Sequence, residues 1–408
     1  MLVGVIMKKI FLLISFILLL IPFNCFCLEY PALDSSSAVV FDKTDNNVLY
    51  SFNSDNVTSI ASLTKIVTTI VAIENIDNLD DSITITSNII NSVDPVASKA
   101  GLKVGDVVTY RDLLYASILP SGADATNALA ITLSGSIENY VSEMNHFVNK
   151  LGLGNTHFVN VTGLDADGHY STANDVLKIL DYSLNNELFY EVFTAKKYML
   201  SNGLEVKSTL YKYNGDDIYN IIGSKTGYTG NAGYCIATLS KTDGHDIIII
   251  LLGASHTNNQ YYNIVDSTNL IDFINNNYSN KILLKENSVI KRLDVMLSNI
   301  SNYTVRSGND IIKFLPNDFD IDKFRFEYNG ISELSYKNKN GELLGSVTYY
   351  YNDEMLLTEK VRLDKNIDIS YKKIIKKYFV YEMLFLVFLI LLILFIIYLI
   401  CKRKKKCY

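Results

Sequence analysis

Two kinds of apolar spacing divide the chain. Ser37–Ala38–Val39–Val40–Phe41–Asp42 and Val48–Leu49–Tyr50–Ser51–Phe52 are strand-like runs, and the polar stretch Lys43–Thr44–Asp45–Asn46–Asn47 between them predicts a hairpin. From Ile60 to Asn75 the apolar residues Ile60, Leu63, Val67, Ile70 and Val71 recur at helical spacing. Further helices are predicted from Tyr110 to Leu119, stopped by Pro120, from Asp124 to Leu133 and from Ile137 to Leu151. Another runs from Thr172 to Leu184, capped by Ser171 or Thr172. Gly233–Leu239 and Asp246–Leu252 read as strands joined through Lys241–Thr242–Asp243–Gly244, and Asn258–Asn277 as a helix. Antiparallel hairpins around helices, without repeating strand–helix–strand units, predict an α+β fold.

Beyond about residue 283 the helical period is lost. Tyr303–Val305, Ile311–Leu315, Phe324–Tyr328, Leu334–Tyr336, Leu343–Tyr351 and Met355–Arg362 are short strand-like runs, with turns at Asn338–Gly341 and Asn352–Asp353. They predict a small all-β domain over residues 283–368, after a larger domain over 28–282. Residues 369–382 form a basic stem, in which Lys372, Lys373, Lys376 and Lys377 suit either a solvated linker or attraction to anionic lipid.

The two ends carry the longest apolar runs. Lys8 and Lys9 precede Ile10–Ile21, a stretch too short to span a bilayer comfortably and ended by Pro22, which matches a secretory signal over residues 1–27. Met383–Ile400 has no charge and is followed by a basic cluster from Lys402 to Lys406. That pattern predicts one transmembrane helix over 383–401 and a cytoplasmic tail over 402–408. Signal and anchor together place residues 28–382 on the outer side of a cell membrane. The 408 residues carry a formal charge of −6, which provides no global basic field to recruit nucleic acid. Cys25 and Cys27 fall in or beside the signal and Cys401 and Cys407 flank the tail. Cys235 alone lies in the exported part, so no disulfide framework is expected within one chain.

Chemistry enters through serine–lysine spacing. Ser-x-x-Lys occurs at Ser62/Lys65, Ser288/Lys291 and Ser370/Lys373, and only the first opens an apolar helix. There the Lys65 side chain shares a helix face with the Ser62 hydroxyl, and the Ser62 N–H lies at the positive end of the helix dipole. A lysine with an ordinary pKa of about 10.4 is only ~0.04% neutral at pH 7, so a base at Lys65 requires burial and a second cation. Lys225–Thr226–Gly227 occurs once, enters the strand pair and supplies that cation, with a glycine whose bare backbone admits a ligand. Pro120–Ser121–Gly122–Ala123 puts a further hydroxyl at a helix–helix corner. Taken singly, the three stretches read as a polar helix face, a glycine-rich hairpin start and a helix cap. His157 and His169, with Asp165 and Asp167 nearby, match no standard metal-ligand spacing, so no metal is expected.

In the order Ser62-x-x-Lys65, Ser121–Gly122–Ala123, Lys225–Thr226–Gly227, the chain resembles the penicillin-binding and serine β-lactamase superfamily. More narrowly it is similar to the low-molecular-mass D-alanyl-D-alanine carboxypeptidases. Asp112–Leu113–Leu114–Tyr115, Asn155–Thr156–His157–Phe158, Gly168–His169–Tyr170–Ser171–Thr172 and Lys225–Thr226–Gly227–Tyr228–Thr229 with Ala232–Gly233–Tyr234–Cys235 carry the likeness. The resemblance implies a β-lactamase/transpeptidase-like domain, an antiparallel sheet flanked by helices, followed by the β domain and the membrane helix. It implies that Ser62 attacks the bond between two terminal D-alanines of a peptidoglycan stem, that Lys65 takes its proton and that Ser121 relays one to the leaving D-alanine. Lys225 and Thr226 would hold the terminal carboxylate, with Gly227 and Thr229 beside them. The backbone N–H groups of Ser62 and Tyr228 would form the oxyanion hole. No cofactor is implied, and β-lactam antibiotics would acylate the same serine.

One position departs from the family. Ala123 stands where an asparagine amide usually holds the substrate and steadies the first lysine, which predicts weakened substrate positioning with the chemistry retained. A β-lactamase is disfavoured, because no Glu-x-x-Leu-Asn-like stretch lies between residues 135 and 225. The alternatives are a D,D-endopeptidase, which breaks the same kind of bond, and a membrane-tethered peptidoglycan-binding protein with weak or no turnover.

Overall fold

A computed structural model describes residues 29–214, 220–258 and 260–404. The expected signal over 1–27 and the last residues of the basic tail, 405–408, lie outside them. The chain divides between Ser279 and Asn280 into two units.

In the first unit, β1 (Ser37–Asp42) and β2 (Asn47–Phe52) form the expected hairpin. Helices follow in the order α1 (Thr64–Asn75), α2 (Tyr110–Ile118), α3 (Ala123–Ser134), α4 (Ile137–Lys150), α5 (Ala173–Leu184) and α6 (Glu187–Thr194). Then β3 (Ile221–Thr229), β4 (Gly233–Thr242) and β5 (His245–Ala254) precede α7 (Tyr262–Asn277). The five strands make one antiparallel sheet in the order β2-β1-β5-β4-β3, so the first hairpin joins the last strands and β3 lies at an edge.

Local chemistry explains where these elements start. Thr109 accepts from the Asp112 N–H while Asp112 accepts from the Thr109 N–H, a reciprocal cap that begins α2. Thr172, not Ser171, caps α5 by accepting from the Asp175 N–H at 3.0 Å. The run Ile247–Leu252 shows no polar alternation because it is buried on both faces of the sheet. On one face α7 packs, with Ser267 Oγ 3.3 Å from Thr238 Oγ1. On the other, Val39, Leu239, Ile248 and Ile250 join Ile66, Leu113, Leu129 and Phe158 in the main core.

Three sequence expectations change. Helix α6 had no counterpart, although Phe189, Val192 and Phe193 recur at helical spacing over its eight residues. It is held by Asn186, which caps the Phe189 N–H, and by burial of Phe189, Val192 and Phe193. Helix α7 begins at Tyr262 rather than Asn258, since His256–Thr257 pairs with Gln260–Tyr261 as a small hairpin. The stem and the span are one element.

The second unit is built of strands from Asn280 to Arg362, with one short 3-10 turn at Ile321–Lys323. Strand Leu343–Tyr351 pairs with Phe324–Gly330 on one side and Glu354–Arg362 on the other. Leu293, Val305, Leu334, Leu344 and Leu363 fill one small core and Ile311, Leu315, Val347 and Tyr349 another. Helix α8 (Tyr371–Lys404) then runs for 34 residues, about 51 Å at 1.5 Å per residue. It contains no proline or glycine, so nothing breaks it between the lysine-rich stretch and the apolar one. Its apolar side chains are exposed, and among the described residues it is the helix long and apolar enough to cross a membrane.

Phe189→Ala is expected to lower the unfolding free energy of the first unit by about 3–5 kcal/mol, because it empties a fully buried aromatic site. A denaturant titration with an unshifted midpoint would show that the core does not hold α6.

Candidate active site

The Ser62 corner begins with an unfavourable backbone. Residues Ala61–Leu63 form a 3-10 turn ahead of α1, and Ala61 sits in the left-handed region at φ 46°. Several contacts hold it there. The Ala61 carbonyl accepts from Thr64 Oγ1 at 2.9 Å, and Gly163 (φ 85°) abuts the same carbonyl so closely that a Cβ would overlap it. His169 Nδ1 accepts from the Val159 N–H at 3.2 Å, so Nε2 carries the proton and donates to Thr64 Oγ1 at 2.8 Å. Burial, then the neighbouring His157, lowers the His169 pKa to about 4, which keeps that ring neutral. His169 is therefore a buttress for the serine turn. His157 lies apart, its Nδ1 2.7 Å from the Gly168 carbonyl. Among the described residues the group with metal-ligand geometry is Asp42, Asp45 and His245, where the β1–β2 and β4–β5 turns meet.

In a 3-10 turn residues three apart eclipse, and Lys65 Nζ comes to 2.9 Å from Ser62 Oγ. The amine also donates to the Thr162 carbonyl at 2.6 Å. That carbonyl comes from the loop between α4 and α5, where Asn160 Oδ1 accepts from the Thr162 and Gly163 N–H groups. Lys65 is buried, and burial lowers its pKa to about 7, opposed by the Asp124 carboxylate.

The second serine also occupies a left-handed position, Ser121 at φ 61°. Gly122 follows it with no space for a side chain, since a Cβ would lie 2.6 Å from the Ala116 carbonyl oxygen. Lys225 projects from β3 into the interior, donating to Ser121 Oγ at 2.9 Å and to the Thr226 carbonyl at 2.7 Å. Burial lowers its pKa well below the ordinary lysine value, and the charge of Lys65 lowers it further. On the same strand Gly227 passes over the serine turn, where a Cβ would lie 2.8 Å from Ser62 N. An edge strand with a bare position there leaves that N–H open to a ligand.

A cleft of about 270 Å³ opens between these elements, lined by Ser62, Ser121, Thr209, Thr226, Gly227 and Tyr228 among others. Tyr228 is exposed and stacks on Tyr234, with ring centroids 4.3 Å apart.

The structure thus brings Ser62, Lys65, Ser121, Lys225, Thr226, Gly227 and Tyr228 together around one cleft. Lys225 lies beneath its surface rather than on it. Thr229 is turned elsewhere: its hydroxyl donates to Asp165 at 2.7 Å and it does not line the cleft, which corrects its expected place beside a bound carboxylate. Ala123 is fully buried and also outside the lining. Asn127 does not substitute for it, because its amide donates to the Ser92 carbonyl and Ser92 Oγ. Asp124 clasps a neighbouring loop, accepting from the N–H groups of Ala100, Gly101 and Leu102 at 2.8, 2.9 and 3.0 Å. Sequence reasoning missed Thr162 and Thr209. Asn160–x–x–Gly163, an Asx-type turn into a left-handed glycine, was the available signal for the first; a lone threonine gave none for the second.

Known proteins resemble this chain in sequence and in fold. The family profile described as D-alanyl-D-alanine carboxypeptidase matches residues 25–256. The chain is 29% identical over 344 residues to D-alanyl-D-alanine carboxypeptidase DacF of Bacillus subtilis (strain 168), covering 81% of this chain and 85% of that protein. It is 36% identical over 224 residues to DacA of Escherichia coli (strain K12), covering 52% of this chain and 54% of that one. Penicillin binding protein 5 from Haemophilus influenzae superposes with a TM-score of 0.62 at 24% identity, covering 83% of this chain and 99% of that chain. The Streptomyces K15 DD-transpeptidase does so with a TM-score of 0.55 at 29% identity, covering 60% and 98%.

Asp124→Asn removes the charge that raises the Lys65 pKa, so that pKa falls. The acid limb of Ser62 reactivity toward an acylating probe is expected to move to lower pH. A limb that stays put or rises would show that the carboxylate does not act on Lys65.

Proposed function

The chain belongs to the D-alanyl-D-alanine carboxypeptidase family, a serine-peptidase family, and from that premise we propose how its own residues carry the reaction. Ser62 is the nucleophile and neutral Lys65 its base. The observation that carries this reading is a buried amine 2.9 Å from the Ser62 hydroxyl with its pKa lowered to about 7. A neutral amine has two N–H bonds and one lone pair. One N–H is spent on the Thr162 carbonyl, so the lone pair is free to accept the Ser62 proton.

Attack on the carbonyl between the two D-alanines forms a tetrahedral oxyanion. The Ser62 and Tyr228 N–H groups stabilise it, a role that the bare Gly227 position supports. Collapse breaks the peptide bond. The departing amine takes the proton that Lys65 drew from Ser62, passed on through Ser121, whose oxygen is held by Lys225; Lys65 is neutral again and free D-alanine leaves. A water molecule, deprotonated by Lys65, then hydrolyses the ester and frees the shortened stem. A β-lactam ring opens by the same attack but keeps its leaving nitrogen tethered, so the acyl-enzyme persists. Thr226 receives the terminal carboxylate in the cleft. The Thr162 carbonyl fixes the amine.

Helix α8 anchors the protein in the cell membrane by a single C-terminal span, with the catalytic unit of residues 28–282 and the β domain of 283–368 on the extracytoplasmic side. Its length and exposed apolar surface support the span, and the signal-like sequence of residues 1–27 supports the orientation.

Incubation with a fluorescent penicillin and with a pentapeptide stem tests the reading. The protein is expected to be labelled and to release D-alanine, and Ser62→Ala to do neither. Lys65→Gln is expected to retain the fold and lose acylation by roughly 10²–10⁴-fold, the usual range for a general base. Labelling that survives Ser62→Ala would place the nucleophile elsewhere.

A further inference from the structure

We propose that Thr209 is a carboxylate-binding residue of the cleft and sets its preference for peptides with a free C-terminus; this rests on the reading above. The buried Lys225 amine does not face the ligand. Lys225 has no exposed surface, and its amine is committed to Ser121 Oγ and the Thr226 carbonyl. None of the described residues lining the cleft is a lysine, arginine or histidine. An anion entering it therefore meets hydroxyl groups, with the Lys225 amine enclosed behind them.

Thr209 belongs to none of the three motifs, yet its Oγ1 lies 2.6 Å from Thr226 Oγ1 and both residues line the cleft. Its position is fixed independently of any ligand. The Thr209 N–H donates to the Leu119 carbonyl at 2.9 Å, immediately before the Pro120–Ser121 corner, and the preceding Ser208 N–H donates to the Lys196 carbonyl at 2.9 Å. The same corner thus holds Ser121 and Thr209.

Two hydroxyls at this spacing form a pair matched to the two oxygens of a carboxylate. Without a ligand, one proton is spent between them and one is left over. A carboxylate accepts both, one from each threonine, and both bonds are charge-assisted. A carboxamide offers one acceptor and one donor, so it gains a single neutral bond from the same pair. Thr209 thereby separates removal of a terminal residue from cleavage within a longer chain.

Steady-state kinetics on the full protein test this, with a di-N-acetylated tripeptide ending in D-alanyl-D-alanine and the same peptide as its C-terminal carboxamide. Thr209→Val is expected to lower kcat/KM for the acid roughly 10-fold or more, mainly through KM, and to narrow the acid-over-amide preference by a similar factor. Thr209→Ser restores both. Equal losses on acid and amide, or no loss on either, would overturn the proposal and leave Thr209 a packing residue. Absence of Ser62-dependent turnover in the unmodified protein would instead refute the parent reading. A thermal melt of each variant shows that the comparison is made on folded protein.

Discussion

An amine removed from water is the constraint on which this site depends. Solvation favours the ammonium, so a lysine that is to accept a proton near neutral pH has to be enclosed before it can react. Lys65 is enclosed by the first unit's main core, and its two close partners are uncharged: the Thr162 carbonyl and the Ser62 hydroxyl. Asp124, the nearest opposing influence, spends its carboxylate on three loop N–H groups and so acts on the amine only through its field. Lys225 is enclosed in the same way, and it donates to Ser121.

Enclosure alone would not aim the groups. Both serines depend on left-handed backbone, Ala61 beside Ser62 and Ser121 itself, at a typical cost of about 1–3 kcal/mol each. Neighbouring close approaches hold them in place. Gly163 abuts Ala61, Gly227 passes beside Ser62 and Gly122 fits under Ala116 only because each lacks a Cβ. The neutral His169 reaches the same turn through Thr64. Sheet, loop and helix therefore converge on one strained corner, and the fold's antiparallel order brings Lys225 on the edge strand to a helix start far away in sequence.

Much of this was readable from residues alone. Strong periodicity gave α1 through α5 and the β4–β5 hairpin, and motif order gave the family. The chemistry of Ser62 demands a buried Lys65 and a second cation; burial alone lowers the Lys65 pKa, and Lys225 is itself enclosed. What the sequence did not carry was settled by tertiary contact. Thr162 acts through its carbonyl, which every residue possesses, and Thr209 matters only because folding sets it against Thr226. Thr229 fits the motif by sequence, but its hydroxyl satisfies Asp165 instead. Helix α6 was legible as Asn186 followed by Phe189, Val192 and Phe193 at helical spacing, but the segment is only eight residues long and was passed over. The stem was read as a separate segment because its charge differs from the span, although backbone hydrogen bonding is indifferent to that change.

The most direct measurement is the titration of the Lys65 amine itself, followed by nitrogen NMR of protein labelled at lysine Nζ, with Lys65→Arg to assign the signal. The account predicts a lysine resonance that titrates near pH 7 and disappears in the variant. A Lys65 signal that stays protonated up to about pH 9 would contradict it, because no neutral amine would then be present to take the serine's proton.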